Sequence, residues 1–237
     1  EPKEELEKKL EEINLKIQNP PIFKGLYGTE LTLVDDTVNI VVRPSDLPLS
    51  ETTYVVFDTE TTGFAPGQIG QLSMIIEEDN GEVSTKNYFF KIDYITSGAE
   101  EACGRGIDFY TEASGGKIFA DYKDEIYNIL SDATLIAHNL KFDENFISTE
   151  FWRQGVLFKP AGRFDTMEYF RDICQLPGGR GGKKYKNPKL EELVDYFNIN
   201  KDKVQKYSIA LFGNDDSTNT GFHDARYDTT SMFEYLN

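Results

Sequence analysis

An α/β fold, with a mixed five-stranded sheet flanked by helices, is the architecture this sequence predicts. Two observations carry it: short apolar runs bounded by turn residues come first, and segments with helical periodicity alternate with such runs towards the C-terminus. Tyr54-Val55-Val56-Phe57 is β-branched or aromatic throughout and reads as a buried strand over 54–58. Strands are expected near 70–77 and 86–92, with Asp79-Asn80-Gly81 as the turn between them, so the first three strands pair antiparallel. Short strands follow at 133–137 and 163–165. Asn139, a residue type that favours helix N-caps, opens a helix carrying Phe142, Phe146 and Trp152. The last helix, over 228–236, sets Met232, Phe233 and Leu236 at helical spacing.

Residues 1–50 read as an accessory segment and 51–237 as the main domain. Leu6, Leu10, Ile13 and Ile17 recur at helical spacing in a charged background, an amphipathic helix ended by Pro20-Pro21. Residues 31–34 and 38–42 then suit a small hairpin around Asp35-Asp36. Lacking an initiator Met and stopping within its last helix, the chain is expected to be a fragment of a longer polypeptide.

Composition narrows the class. With 237 residues and 39% hydrophobic content the chain can bury a sizeable core. It has no apolar run near the roughly 18 residues of a membrane span and no signal-peptide pattern. Cys103 and Cys174 are too few for a disulfide framework and suit reduced thiols in a cytoplasmic protein. The net charge of −16 opposes long-range attraction to a polyanion. Residues 177–189 run against that trend, holding Arg180, Lys183, Lys184, Lys186 and Lys189, no acid, several glycines and Tyr185. They form either a plain solvated loop or one that grips a polyanion backbone, with Tyr185 stacking.

The chemistry gathers in three places. Asp58 and Glu60, two apart at a strand end, point to the same face, where two ionised carboxylates repel. Either they are surface acids, or a hard divalent cation with a preference for oxygen relieves the repulsion. The chain's two histidines mark the other places. His138-Asn139-Leu140-Lys141-Phe142-Asp143 puts Asp143 in a first helical turn, where the dipole favours an anion. In His223-Asp224-Ala225-Arg226-Tyr227-Asp228 the five steps from His223 to Asp228 rotate about 140° on a helix, so the two cannot share a face. They meet at one site only if His223 lies on the loop before the helix, with Asp224 or a neighbour as its cap.

Asp58-x-Glu60, His138-Asn139-x-x-Phe142-Asp143 and His223-Asp224-Ala225-x-x-Asp228, in that order, resemble the three motifs of DnaQ-like 3′→5′ exonucleases, in the DEDD branch with a histidine in the third motif. Thr61-Thr62-Gly63 continues the first motif, and Phe164-Asp165-Thr166-Met167 and residues 190–199 resemble the family's linking strand and short helix. The resemblance covers about residues 53–237. Gln71 and Ser73 stand where Glu and Gly are common, and Arg105-Gly106-Ile107-Asp108 replaces a turn that usually begins with His.

The resemblance implies an RNase H-like fold and a site holding two Mg²⁺ or Mn²⁺ ions. Asp58 would bridge both, Glu60 and Asp228 would hold one, and Asp143 would complete the ring or position water. His223 would accept the water's proton, kept neutral by its place at a helix start. Thr61, Thr62, Gly63, Asn139, Phe142, Lys183, Lys184 and Tyr185 are the candidate substrate contacts. His138 is expected to support the site from behind, Asp165 to anchor a strand end and Glu144 to be solvated. The substrate would be the 3′ end of single-stranded nucleic acid, DNA before RNA, cut to nucleoside monophosphates in proofreading or end trimming. A replication, repair or integration protein would be the fused or bound partner. RNA end processing, a non-catalytic binding module and an RNase H-type endonuclease are the alternatives.

Overall fold

The structure, a computed structural model, describes residues 7–9, 41–42, 52–64, 67–178, 184–213 and 221–236. The chain divides into two compact units, Glu1–Thr37 and Val38–Asn237. In the first, residues 7–9 are helical, within the helix expected over 3–17. The rest of that helix, the strand expected over 31–34 and residues 38–40 lie outside the described residues.

In the second unit, β1 (Val41–Val42), β2 (Tyr54–Thr61), β3 (Ile69–Glu77), β4 (Val83–Phe89), β5 (Thr134–Ala137) and β6 (Gly162–Asp165) form one sheet in the order β1-β6-β5-β2-β3-β4. The five expected strands are all present. They form a mixed sheet, since β2 pairs antiparallel with β3 and parallel with β5, while β5 and β6 are parallel. The two-residue β1 adds an antiparallel edge, opposing Val41 to Phe164. β4 starts earlier than expected because the turn closes over 78–82, where Gly81 takes a φ of 80° and donates to the Glu78 carbonyl.

Helices cover both faces: α1 (Ser97–Cys103), α2 (Ile107–Ala113), α3 (Phe119–Ser131), α4 (Leu140–Arg153), α5 (Thr166–Cys174), α6 (Leu190–Tyr196), α7 (Lys201–Phe212) and α8 (Ala225–Leu236). Alternation along β2 sorts its side chains between two cores. Val55 and Phe57 pack with Phe146, Ile147 and Phe151 of α4 and with Ile126 and Leu130 of α3. Tyr54 and Val56 pack with Met232 and Phe233 of α8. Asp58 and Glu60 therefore continue the row that faces α8, whereas Thr59 falls on the α4 side. Beyond Glu60 the register with β3 shifts, and β2 ends.

One expected local feature fails. Asn139 precedes α4 but its side chain makes no capping bond, because the residue sits in the left-handed region at φ 67°. Its backbone N–H donates to Asp165 Oδ1 instead. Asp165, as expected, anchors the end of β6, and it also caps α5 through the Met167 and Glu168 N–H groups.

Close packing makes one glycine essential. A Cβ at Gly70 would lie 2.6 Å from the ring of Tyr110, a fully buried side chain packed against Phe89 and Phe109. Gly70→Val should lower the unfolding free energy by about 1–3 kcal/mol in urea denaturation; an unchanged midpoint would show that α2 can move away.

Candidate active site

Beyond the end of β2 lies a cleft of about 740 Å³ whose wall includes Asp58, Glu60, Asp143, His223 and Asp228. Carboxylate oxygens of Asp58, Glu60 and Asp228 come within 4.8 Å of one another. Asp58 and Glu60 arrive from one face of β2 and Asp228 from the first turn of α8, which covers that face. Asp143 comes from α4 on the other side of the strand end. Thr59 holds it there, its hydroxyl donating to Asp143 Oδ1 at 2.6 Å and its N–H at 3.2 Å.

His223 lies on the turn before α8, with Asp228 one helical turn into the helix. The backbone N–H of His223 donates to Asp228 Oδ2 at 3.0 Å. The helix start between them is capped by Asp224, whose carboxylate accepts the Arg226 N–H at 2.7 Å and whose carbonyl accepts the Asp228 N–H.

The acids share a strained electrostatic setting. Burial, and then the charges of Asp143, Asp228 and Glu60, push the Asp58 carboxyl well above the usual range. Burial raises Glu60 to about 8, with Asp224 adding to the shift and Arg105 opposing it. Asp143 rises to about 7 through burial, partly offset by the Thr59 hydrogen bonds. Asp228 is raised chiefly by burial and then by Glu60, against the His223 N–H. Asp228 Oδ1 is buried without a hydrogen-bond partner. Clustered hard oxygen donors, one of them unsatisfied, fit a divalent cation and no neutral ligand as well.

The remaining candidates separate. Thr61, Gly63, Asn139 and Phe142 line the cleft. Thr62 does not: it is fully buried, and its hydroxyl accepts the Gln68 N–H at 2.9 Å, which corrects its assignment as a substrate contact. Thr61 directs its own hydroxyl to the Gly63 carbonyl. Lys183 lies outside the described residues. Lys184 and Tyr185 are not part of the cleft wall, where Asn187, Pro188 and Lys189 of the same basic segment stand instead; Lys184 Nζ lies 4.7 Å from the Tyr185 ring centroid. His138 supports the site structurally: Nδ1 pairs with Thr166 Oγ1 and Nε2 with the Pro188 carbonyl, and burial lowers its pKa to about 4. Glu144, expected to be solvated, is half-buried, and both its carboxylate oxygens accept from Arg163 Nε at 2.7 Å.

Sequence reasoning missed what lies behind Glu60. Arg105 and Asp224 form a buried ion pair there at 2.5 Å, and Gln71 bonds to both. It also missed Phe64, which stands at the cleft mouth with 90% of its surface exposed. The placement of Gln71 and Arg105 at positions that depart from the family pattern was the available signal for the first.

No family model matches the chain. The DNA polymerase III PolC-type proteins of Staphylococcus haemolyticus and Staphylococcus aureus are 34% identical to it over 174 and 176 residues, in alignments that cover 68% of this chain and 12% of each relative. Escherichia coli exonuclease I in complex with a dT13 oligonucleotide superposes with a TM-score of 0.57 at 19% identity, over 78% of this chain and 40% of that one. The zinc-bound form of its complex with single-stranded DNA gives 0.54 at 20% identity, over 78% and 39%. The chain is therefore similar to a segment of the PolC-type proteins and shares the fold of exonuclease I, in keeping with the DnaQ-like resemblance of its three motifs. Its sheet is the RNase H-like sheet of exonuclease I, and the DnaQ-like motifs fall at the strand and helix ends described above.

The raised carboxyls have a measurable consequence. Without metal, the folded chain keeps protons that the unfolded chain releases near pH 4, so this contribution to stability is full at acid pH and declines as pH climbs through about 7 and 8. In EDTA the melting temperature should fall between pH 6 and pH 9, and Mg²⁺ or Mn²⁺ should reduce the fall by replacing the protons. Asp58→Asn should flatten the slope in EDTA. A slope indifferent to both would remove the cluster as a cation site.

Proposed function

We propose that the chain is a divalent-cation-dependent 3′→5′ exonuclease that hydrolyses single-stranded DNA ends to nucleoside monophosphates. One observation carries this reading: Asp58, Glu60, Asp143, His223 and Asp228, spread over 170 residues of sequence, converge on one cleft. Asp58, Glu60 and Asp228 would hold Mg²⁺ or Mn²⁺, with Asp143 completing a two-ion site. When bound, the ions would neutralise the phosphoryl oxygens and acidify the attacking water.

The chain's own residues supply the rest. His223 accepts the water's proton, standing on a turn that its N–H bond to Asp228 ties to the acid cluster. Thr59 fixes Asp143 so that its second oxygen can orient the water. Phe64, Phe142 and Phe222 give the cleft apolar surface for the terminal bases, and Gly63 lets the backbone approach the strand. Lys189 supplies a cation at the wall, and Lys184 and Tyr185 of the same basic segment, with Lys183 beside them in sequence, would bind the DNA backbone.

Exonuclease I complexes with oligonucleotides support a single-stranded substrate, and the PolC-type relatives support a setting in DNA replication. Proofreading or end trimming is the role that follows, with a polymerase or other replication protein as the fused or bound partner.

A 5′-labelled single-stranded DNA should shorten stepwise in Mg²⁺ or Mn²⁺, faster than a matched RNA, and circular single strands should survive. Asp58→Ala should abolish the ladder. Cutting of circles would favour an endonuclease, and tight binding without shortening a binding module. His223→Ala should retain cation binding yet lose about 10²–10⁴-fold in kcat, measured by single-turnover release of mononucleotide; loss of cation binding would recast the imidazole as a ligand.

A further inference from the structure

We infer that Arg105 is a positioning residue that acts through Asp224 to hold His223 and the first turn of α8 in reactive geometry; this rests on the exonuclease reading above. Arg105 lies in the connection between α1 and α2, remote in sequence from every acid of the site, and only 8% of it is exposed. Its guanidinium is fixed on several sides. Nη2 donates to Asp224 Oδ2 at 2.5 Å and Nη1 to Gln71 Oε1 at 2.9 Å, while the Phe109 ring faces the group at 4.9 Å.

Asp224 is where this anchor meets the chemistry. It is completely buried, adjoins His223 in sequence and caps the helix that carries Asp228. His223 itself holds a φ of 71°, a conformation that non-glycine residues keep only when their surroundings enforce it. Arg226 also binds Asp224, from within α8, and its guanidinium lies 5.8 Å from the Phe89 ring of β4. Arg105 and Gln71 tie Asp224 directly to other parts of the fold, the one to the α1–α2 connection and the other to β3.

The sequence departures support the same conclusion. Gln71, Ser73 and Arg105 each differ from the family pattern, and all three fall in one buried network. Gln71 Nε2 donates to Asp224 Oδ1 at 3.3 Å and to Asn87 Oδ1 at 2.9 Å, and Ser73 Oγ donates to the same Asn87 oxygen. A neutral Gln71 leaves the Arg105 charge directed at Asp224, where a carboxylate in its place would compete for it.

Two histidines make the test site-specific, because His138 serves as an internal reference for His223. In the metal-free protein at fixed pH, Arg105→Met should shift and broaden the His223 ring proton signals and leave those of His138 in place. With cation, kcat should fall by at least about tenfold, with affinity for a nuclease-resistant oligonucleotide held within about twofold. Arg105→Lys, which keeps the charge and loses the fork, should fall between wild type and Arg105→Met in both readouts. Unmoved His223 signals in Arg105→Met, or His138 disturbed to the same degree, would overturn the proposal. If Arg105→Met does not fold, Arg105→Lys decides alone, and wild-type signals and rate in it are the overturning result. An active wild type with an unmoved His223 in the variants would overturn only the role of Arg105, whereas a wild type inert on DNA would sink the exonuclease reading itself.

Discussion

Repulsion among buried and half-buried carboxylates is the constraint around which this molecule is arranged. Asp58, Glu60, Asp143 and Asp228 crowd the end of β2, and among the described residues none of them forms an ion pair. Such an arrangement opposes folding, because burial and like charge both penalise the ionised forms. The sheet supplies the rigidity that holds it. β2 is bracketed by β3 and β5, and hydrophobic cores lie against both its faces, so the strand end cannot relax to spread its acids apart. A cation that relieved the repulsion would bind a site already assembled, with little further ordering required of the chain.

The acids are not equivalent, and strand alternation explains why. Asp58 and Glu60 share the α8 face with Asp228, and their oxygens form the tight group. Asp143 reaches the strand end from α4 and is bound by Thr59, the residue between the other two, which points the opposite way. Its two hydrogen bonds to Thr59 favour the ionised form and oppose the rise that burial causes. Asp224 inverts the pattern: burial raises it, but Arg226 and Arg105 outweigh burial and hold it below the ordinary range. One carboxylate in the neighbourhood is thus committed to structure, leaving the others to the cleft.

Much of this was legible in the sequence because the signals were local and periodic. Tyr54-Val55-Val56-Phe57 announces a strand, and the spacing of Asp58 and Glu60 announces a shared face. The separation of His223 from Asp228 required a loop–helix junction, and the structure has one. What stayed hidden depends on partners distant in the chain. Thr62 looks like a hydroxyl offered to substrate until Gln68 folds over it, and Glu144 looks solvated until Arg163 of β6 arrives. Helix α3 was passed over although Phe119, Ile126 and Leu130 recur at helical spacing, because charged and aromatic residues between them blur the stripe. The basic segment misled in another way: charge identified the stretch, but only the fold shows that Lys189, and not Lys184 or Tyr185, stands at the cleft wall.

A net charge of −16 now has a different meaning from the one composition suggests. Uniform negative charge would repel a polynucleotide at long range, where ionic screening already limits the force to about 10 Å. At the cleft the balance is set locally. Burial and mutual repulsion raise the carboxyls there and favour their protonated forms when no metal is bound, so the site is less negative than a count of its acids implies. Cations held by Asp58, Glu60 and Asp228 would displace those protons and would place a compact positive charge where a phosphate oxygen could meet it. On this argument affinity for a DNA end and occupancy by cations are one linked equilibrium. The acidic remainder of the surface would then discourage binding of a polyanion away from a held cation.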